Sequence, residues 1–444
     1  MRDFRRHSVR VDSAALPGRS QPGVVDGLLF LLLMSGPPKF RARDITASLR
    51  SEVDTAIGVQ LVVWSIGFLW VLYRLYPLVI RRRVLPKLEP LHAIGLAFLL
   101  SLTFSINRSP SLALTGFVIW QGVVMLAYSW TFLHCYGAET YLRRLFWGYL
   151  ALSVTIFLAW MFMPSLVVAG GGTRVRGDLI APSGAVSALA LCLLLSGAIR
   201  LPRAVVWSIA SFLTVMLIVS QTRTAYLGVA LFALLSFVFR RDAPIRHVMP
   251  LVVALVAVGG LADSLGFAER WIVREDSSLS TLSDRLPLWH YMTRIMLQES
   301  PFFGLGYYSA SRVLGPQYNP SLGTGHSVFV EVLVGAGLVG GATLLVLYLG
   351  LIGYVARLMA RARRHSWTFG LVTLFFLVLL FSLTGTEGIH AGPIGFTFWS
   401  LTSLLPDVWR DLWMRRRLTT SPPTSGALPQ PVDDRAPPLD HVAV

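Results

Sequence analysis

The chain has 444 residues, of which 54% are hydrophobic and 14% charged, and its mean hydropathy is +0.62. Because a soluble globular domain carries about 25% charged residues, this composition excludes an ordinary soluble protein and indicates a membrane protein. The formal charge of +16 does not require a nucleic-acid partner, and we expect none, because basic residues also accumulate in cytoplasmic loops of membrane proteins. The two cysteines lie in or beside apolar segments and imply no disulfide framework.

Apolar runs along the chain predict an all-α, polytopic membrane protein with about twelve membrane-spanning helices. A span needs about 20 apolar residues to cross about 30 Å of hydrocarbon. The first run is the weakest, since it is short and opens with Asp26. The predicted spans lie near residues 23–36, 56–80, 91–106, 113–134, 145–164, 184–199, 204–220, 225–239, 247–264, 327–356, 368–385 and 391–405.

Basic residues cluster at every second junction between these runs, as in RRRVLPK at 81–87 and RRDAPIR at 240–246. Short loops this basic belong on the cytoplasmic side, so we expect both termini to be cytoplasmic, and we find no signal for a removed leader. The predicted organisation is a cytoplasmic N-terminal segment, nine helices, a large outward loop with short helices, three more helices, and a cytoplasmic, disordered tail. Their ranges are 1–22, 23–264, 265–325, 326–405 and 406–444.

A few outward-facing arginines are not explained by this topology. Arg223 lies in a short turn at the membrane boundary, Arg285 lies in the large loop, and Arg174 and Arg176 lie in a glycine-rich loop. Each has a simpler interpretation: a membrane-surface anchor for Arg223, and solvated loop charges for the others. Several arginines that converge would instead form a site for pyrophosphate, because the guanidinium group binds phosphate oxygens in pairs and stays charged.

His326 heads the predicted helix GHSVFVEVLVGAGLVGG at 325–341. The positive end of the helix dipole disfavours imidazolium, so a neutral histidine that acts as a base is plausible there, and a helix cap is the alternative. Glu331, deeper in the helix, is expected to face the bundle interior and support a cation. The glycines that follow are expected to allow close packing, and His290 in the large loop is expected to be packed. No metal-binding pattern is found, so we expect no metal and no cofactor.

Four stretches together resemble the O-antigen ligase and polysaccharide polymerase superfamily of bacterial inner-membrane proteins. They are LSLTFSINRSPSLAL, IVSQTRTAYLGVALF, DRLPLWHYMTRIMLQESPFFGLGYYS and GHSVFVEVLVGAGLVGG. Two departures stand out. Ser327 replaces a commoner asparagine, and RVRGDLIAPSGA lacks the family's asparagine, which leaves open whether Arg174 or Arg176 is the family arginine; Arg176 is favoured.

The resemblance implies a GT-C-like, metal-independent glycosyltransferase with its active site on the periplasmic face of the bacterial inner membrane. The donor would be a glycan on undecaprenyl pyrophosphate. Arg223 and Arg285, with Arg176 or Arg174, would bind the pyrophosphate, and His326 would act on the acceptor hydroxyl for inverting attack. The supporting role expected of Glu331 comes from its position in the helix and not from the resemblance.

The acceptor distinguishes the remaining alternatives. An O-antigen ligase, which is slightly favoured, transfers the glycan to lipid A-core in lipopolysaccharide biosynthesis. A polymerase transfers it to another lipid-linked glycan, and a protein glycosylase, the least favoured, to serine or threonine. A lipid-linked oligosaccharide transporter, from another class, would show inverted repeats and interrupted spans with charges near the membrane midplane.

Overall fold

The computed structural model describes residues 22–36, 55–77, 88–168, 175, 180–239, 285–319, 325, 327–362, 365–385, 389 and 392–420. These residues form thirteen α-helices and no strand, which confirms the all-α prediction for the part described; Val168 and Val175 form one isolated bridge. The helices are α1 Val24–Ser35, α2 Thr55–Tyr76, α3 Pro90–Thr103, α4 Leu112–Tyr136, α5 Ala138–Phe162, α6 Ser183–Leu195, α7 Arg203–Ser220, α8 Arg223–Phe239, α9 Arg285–Glu299, α10 Ala310–Tyr318, α11 Val328–Ala362, α12 Ser366–Thr384 and α13 Pro393–Thr420.

Seven of these helices are long and apolar enough to cross a bilayer, so the protein is a multi-pass membrane protein. They are α2, α3 with the turn after it, α4, α5, α7, α11 and α12. The predicted number of about twelve spans is not confirmed. Apolar helices α1, α6 and α8 are shorter, and the 13 residues of α6 extend only roughly 20 Å. The predicted span 247–264 lies outside the described residues.

Helix α6 lies in the interior of the bundle. Its residues from Ser183 to Leu194 are all buried, and it packs against α5, α7, α8 and α12. Such a helix is apolar on all sides, as expected for one surrounded by other helices. By contrast, α2 and α11 expose leucine, valine and isoleucine side chains on one side, as expected of helices that face lipid.

Helix α11 is interrupted at Gly337, whose φ of 66° and ψ of −162° are not helical. The segment 301–306 fills the interruption with backbone hydrogen bonds. Leu305 and Gly306 donate to the carbonyls of Val334 and Gly335 at 3.0 and 2.9 Å, while Pro301 and Phe302 accept from the two residues after Gly337 at 2.8 and 3.1 Å. The interruption is therefore closed by the protein's own backbone, which satisfies the groups that a broken membrane helix leaves free.

The glycines of α11 pack against this same segment. A Cβ atom on Gly335 would come within 2.6 Å of the Cα of Tyr307, and one on Gly337 within 2.5 Å of the backbone of Phe302. The close packing predicted for these glycines is thus found, but their partner is a loop and not another helix. An interrupted span was also a mark of the transporter alternative; here the interruption holds protein backbone instead of an open cavity.

Two short helices, α9 and α10, lie within the range 265–325 that was predicted to be a large outward loop; that this range is such a loop stays a prediction. Their apolar faces form a small core of their own, in which Leu288, Met292 and Met296 pack with Leu314 and with Val334 of α11. His290, expected to be packed, is exposed, because it lies on the opposite face of α9. The loop is thereby docked on the first half of α11.

The predicted boundary between the last span and the tail, at residue 405, lies inside a helix. Helix α13 continues to Thr420, past Pro406, and the rest of the predicted tail lies outside the described residues. Near this boundary Arg410 donates to Glu89 at 2.9 Å and also contacts Asp407. These ion pairs explain why charged residues are tolerated in a helix that begins inside the bundle.

The hydrogen bonds and ion pairs described above and below place the helix ends and turns at two opposite ends of the bundle. The end that we name the paired end contains the start of α1, the ends of α2 and α4, and the ion pairs of Arg410. There Asp26 is buried and accepts hydrogen bonds from Trp70, Arg74 and Tyr136 at 2.6–2.9 Å. The opposite end, which we name the loop end, contains the turns after α3 and α7, residues 285–319, 325 and 327, and the end of α12.

Candidate functional site

Arg285 begins α9 at the loop end and is half-buried. Its Nη1 atom donates a hydrogen bond of 3.0 Å to the carbonyl oxygen of Thr384, the last residue of α12. Within the described residues, no carboxylate forms an ion pair with it. Burial lowers the pKa of Arg285, but a guanidinium group titrates so far above neutral pH that it stays charged. An anion beside it would offset this desolvation.

Thr384 also connects α12 to the turn that carries Arg223. The hydroxyl groups of Thr384 and Thr224 lie 3.2 Å apart. Arg223 immediately precedes Thr224 and is the first residue of α8; its side chain lies outside what the structure describes. Two of the predicted arginine positions, 223 and 285, are therefore brought to the same helix end.

The glycine-rich loop reaches this region at Val175. Its N–H donates to the carbonyl of Val219 at 3.0 Å, and its own carbonyl accepts from the hydroxyl of Ser183 at 2.5 Å. Val219 lies four residues before Arg223. Arg174 and Arg176, which flank Val175, are themselves outside the described residues, so the structure locates only the backbone between them.

His326 is outside the described residues too, but both of its neighbours are described and buried. The indole N–H of Trp289, one helical turn beyond Arg285, donates to the carbonyl of Gly325 at 2.6 Å. Helix α9 thus contacts the end of α12 through Arg285 and the residue before His326 through Trp289. The positions predicted for pyrophosphate binding and for the base are connected through this one helix.

Glu331 is buried, as predicted, with 2% of its surface exposed. No ion pair with its carboxylate is found among the described residues, although the charge of Arg312 interacts with it, and the cation partner expected for Glu331 stays a prediction. Its carboxylate accepts from the hydroxyl of Ser311 at 2.6 Å and from the N–H of Gly325 at 3.0 Å. Arg312 directly follows Ser311 in the chain. Its guanidinium carbon lies 3.2 Å from the centre of the Tyr308 ring, and the group donates to the Tyr308 carbonyl. Among the described residues, the Ser311 hydroxyl and the Gly325 N–H are the groups bonded to this carboxylate.

A cluster of buried hydroxyl groups joins the turn after α3 to the segment after α9. The Ser109 and Ser309 hydroxyls lie 2.7 Å apart, and the Thr115 hydroxyl donates to the carbonyl of Tyr307 at 2.8 Å. The N–H of Tyr307 donates to the Ser105 hydroxyl at 3.1 Å. This cluster connects two of the four stretches on which the family resemblance depends.

Several residues that shape this region were not among the predicted site residues. Trp289 was visible in the sequence as the tryptophan four positions after Arg285, a spacing that puts both on one helix face. Ser311, Thr224 and Thr384 gave no local signal, because a hydroxyl group in an apolar chain has many possible partners. Within the described residues, no group of three or more His, Cys, Asp or Glu side chains is arranged to hold a metal.

Comparison with known proteins bears on the same region. A family model described as O-antigen ligase matches residues 208–345 of the chain. The match begins in α7 and includes α8, α9, α10 and the interrupted part of α11. It contains positions 223, 285, 326 and 331, and it confirms the resemblance inferred from the sequence. No curated protein was found to match the chain.

Proposed function

We propose, on the premise that residues 208–345 match the O-antigen ligase family, that the protein transfers a glycan from undecaprenyl pyrophosphate to an acceptor hydroxyl at the periplasmic face of the bacterial inner membrane. The observation that carries the proposal is the placement of α9. Its first turn holds Arg285 against Thr384, beside the turn that contains Arg223, and its second turn holds Trp289 against Gly325, beside His326.

In the proposed reaction, Arg223 and Arg285, with Arg176 or Arg174, bind the pyrophosphate. Their fixed positive charge offsets the negative charge that develops on the leaving group, which is the contribution a metal ion would otherwise make. His326 accepts the proton of the acceptor hydroxyl as its oxygen bonds to the anomeric carbon. The bond from that carbon to the pyrophosphate oxygen breaks, and the configuration inverts. Neither a metal nor a cofactor is needed for this step.

The half-buried state of Arg285 supports this role. Among the described residues Arg285 donates only to a carbonyl oxygen and no carboxylate offsets its charge, whereas Arg74 and Arg410 of the paired end are bonded to carboxylates. Charge-assisted bonds to phosphate are stronger than neutral ones. Arg285 is therefore suited to bind an anionic ligand.

We favour lipid A-core as the acceptor, as in an O-antigen ligase, and another lipid-linked glycan, as in a polymerase, is the alternative. The test is transfer in vitro with purified protein and undecaprenyl-pyrophosphate glycan, with and without lipid A-core. A product on lipid A-core identifies the ligase, and lengthened lipid-linked glycan without that acceptor identifies the polymerase.

The same assay tests the residues. His326→Ala and Arg223→Ala should each reduce the transfer rate by about 100-fold or more. Arg143→Ala is the matched control, because Arg143 is exposed and pairs only with Glu139 one turn away. If both variants transfer at the wild-type rate while folded, the proposed mechanism is wrong.

A further inference from the structure

Gly325 is held at both of its backbone polar groups by side chains from two different helices. Its carbonyl accepts from the indole N–H of Trp289 in α9, and its N–H donates to Oε1 of Glu331 in α11. The other carboxylate oxygen of Glu331 accepts from the hydroxyl of Ser311 in α10. Helices α9 and α11 therefore both bind one buried glycine, and α10 is connected to it through Glu331.

These bonds fix the backbone of Gly325. The peptide group is planar, so a carbonyl held by a hydrogen bond sets the orientation of the whole peptide group to which it belongs. The next residue in sequence is His326. The bonds lie in a buried region, where a hydrogen bond is stronger than in water and a lost partner leaves an unsatisfied polar group.

Glu331 is unusual as a structural group. A buried carboxylate that forms no ion pair within the described residues is costly, and an apolar side chain at this position would pack without that cost. The N-terminal turn of α11, where Glu331 lies, offsets part of the cost through the helix dipole. Its two hydrogen bonds connect Ser311 to Gly325.

We propose that Trp289 and Glu331 are positioning residues for glycosyl transfer, which act through Gly325 to hold His326 against the acceptor hydroxyl. This inference rests on the proposed role of His326 as the base. Arg285 and Trp289 lie on the same face of α9, one turn apart. The helix therefore sets the distance between the bound pyrophosphate and the base.

The test compares kcat and the KM for the donor in variants that break and keep the contacts with Gly325. Trp289→Phe removes the indole donor, and Glu331→Ala removes the carboxylate. Each should lower kcat by about 10-fold or more and leave the donor KM within about 2-fold of wild type, because a displaced base affects the reaction and not donor binding. Glu331→Gln should recover part of the rate, since its amide oxygen can still accept from Gly325.

Two control variants leave these contacts in place. His290→Ala changes an exposed side chain next to Trp289, and Arg143→Ala changes an exposed side chain of α5. Both should transfer at close to the wild-type rate. A 10-fold loss of kcat in either control would overturn the inference.

The double variant Trp289→Phe with His326→Ala separates positioning from general support of the fold. If Trp289 acts through His326, adding Trp289→Phe to His326→Ala should reduce the residual rate by no more than about 2-fold. A further loss as large as that in the wild-type background would overturn the inference. If Trp289→Phe does not fold, Glu331→Ala and Glu331→Gln are compared in the same background. Full activity of His326→Ala alone would instead overturn the proposed base.

Discussion

The two ends of the bundle treat charge differently. At the paired end, each carboxylate described above is bonded to an arginine: Asp26 to Arg74, and Glu89 and Asp407 to Arg410. At the loop end, the buried carboxylate of Glu331 is bonded to a hydroxyl and a backbone N–H, and Arg285 to a carbonyl oxygen. The difference indicates that Asp26, Glu89 and Asp407 stabilise the fold through ion pairs, whereas no carboxylate offsets the charge of Arg285 among the described residues.

The largest expected effect is on stability, at the paired end. Asp26→Ala leaves Arg74, Trp70 and Tyr136 without their shared acceptor, and removing one partner of a buried ion pair costs about 3–5 kcal/mol. Thermal unfolding in detergent should show this loss, while the transfer rate per folded molecule stays unchanged. Glu139→Ala, which breaks an exposed pair with Arg143, should cost less than about 1 kcal/mol. Equal losses in the two variants would contradict the interpretation.

The next effect is on transfer, at the loop end. Arg285→Ala should slow transfer by about 10- to 100-fold, because a hydrogen bond to a charged group contributes about 1.5–3 kcal/mol. Arg285→Lys should fall between this variant and wild type, since lysine keeps the charge but not the planar pair of donors. The measurement is the transfer rate at subsaturating donor, with the unfolding temperature as control. If Arg285→Ala destabilises the protein as much as Asp26→Ala and transfers normally, the two ends do not differ as we infer.

A smaller effect is expected at Thr384. Thr384→Val removes the hydroxyl that contacts Thr224 but keeps the carbonyl that accepts from Arg285. Because a neutral hydrogen bond contributes about 0.5–1.5 kcal/mol, transfer should fall by less than about 10-fold. Thr224→Val should match it, because both variants break the same contact. A loss in either variant as large as that of Arg285→Ala would show that the hydroxyl pair, and not the arginine, is the important contact.

The last prediction is that removing metal ions leaves the transfer rate unchanged. Transfer should continue at the same rate in excess chelator, because fixed arginines are proposed to offset the charge of the leaving group. The rate is compared before and after dialysis against chelator, and again after addition of Mg²⁺. A loss that Mg²⁺ restores would show that the loop end binds its ligand through a metal.

Much of the fold was predictable because it depends on local composition. The apolar runs predicted the helices from α2 to α7, and most ends of these helices lie within a few residues of the predicted bounds; the start of α5, at Ala138 and not at 145, is an exception. The side of the membrane on which each loop lies stays a prediction. Boundaries failed where no local signal exists. Helix α13 extends to Thr420 through a charged segment. In this segment Arg410 is bonded to Glu89, which is more than 300 residues away in sequence, and to Asp407, which is one helical turn away.

The candidate site was predictable only in part. The resemblance identified the segment that the family match confirms, and it named Arg285 and Glu331, which the structure describes, and Arg223, of which it describes the backbone. It could not identify the partners. For Glu331 the sequence predicted a cation as partner, because carboxylates in membrane helices usually have one. It gave no sign of the hydrogen bonds that the carboxylate accepts from Ser311 and Gly325.

By itself, the sequence determined the chemical character of the chain: apolar segments that must be helical in a membrane, clusters of basic residues between them, and a few further arginines, which are predicted to lie on the other side. Only the tertiary structure decided which of these groups meet. The interruption of α11 at Gly337 requires backbone partners from 301–306, and Gly325 requires Trp289 from α9. Local composition fixes what a segment is able to do, whereas hydrogen bonds between segments depend on the packing that brings them within about 3 Å.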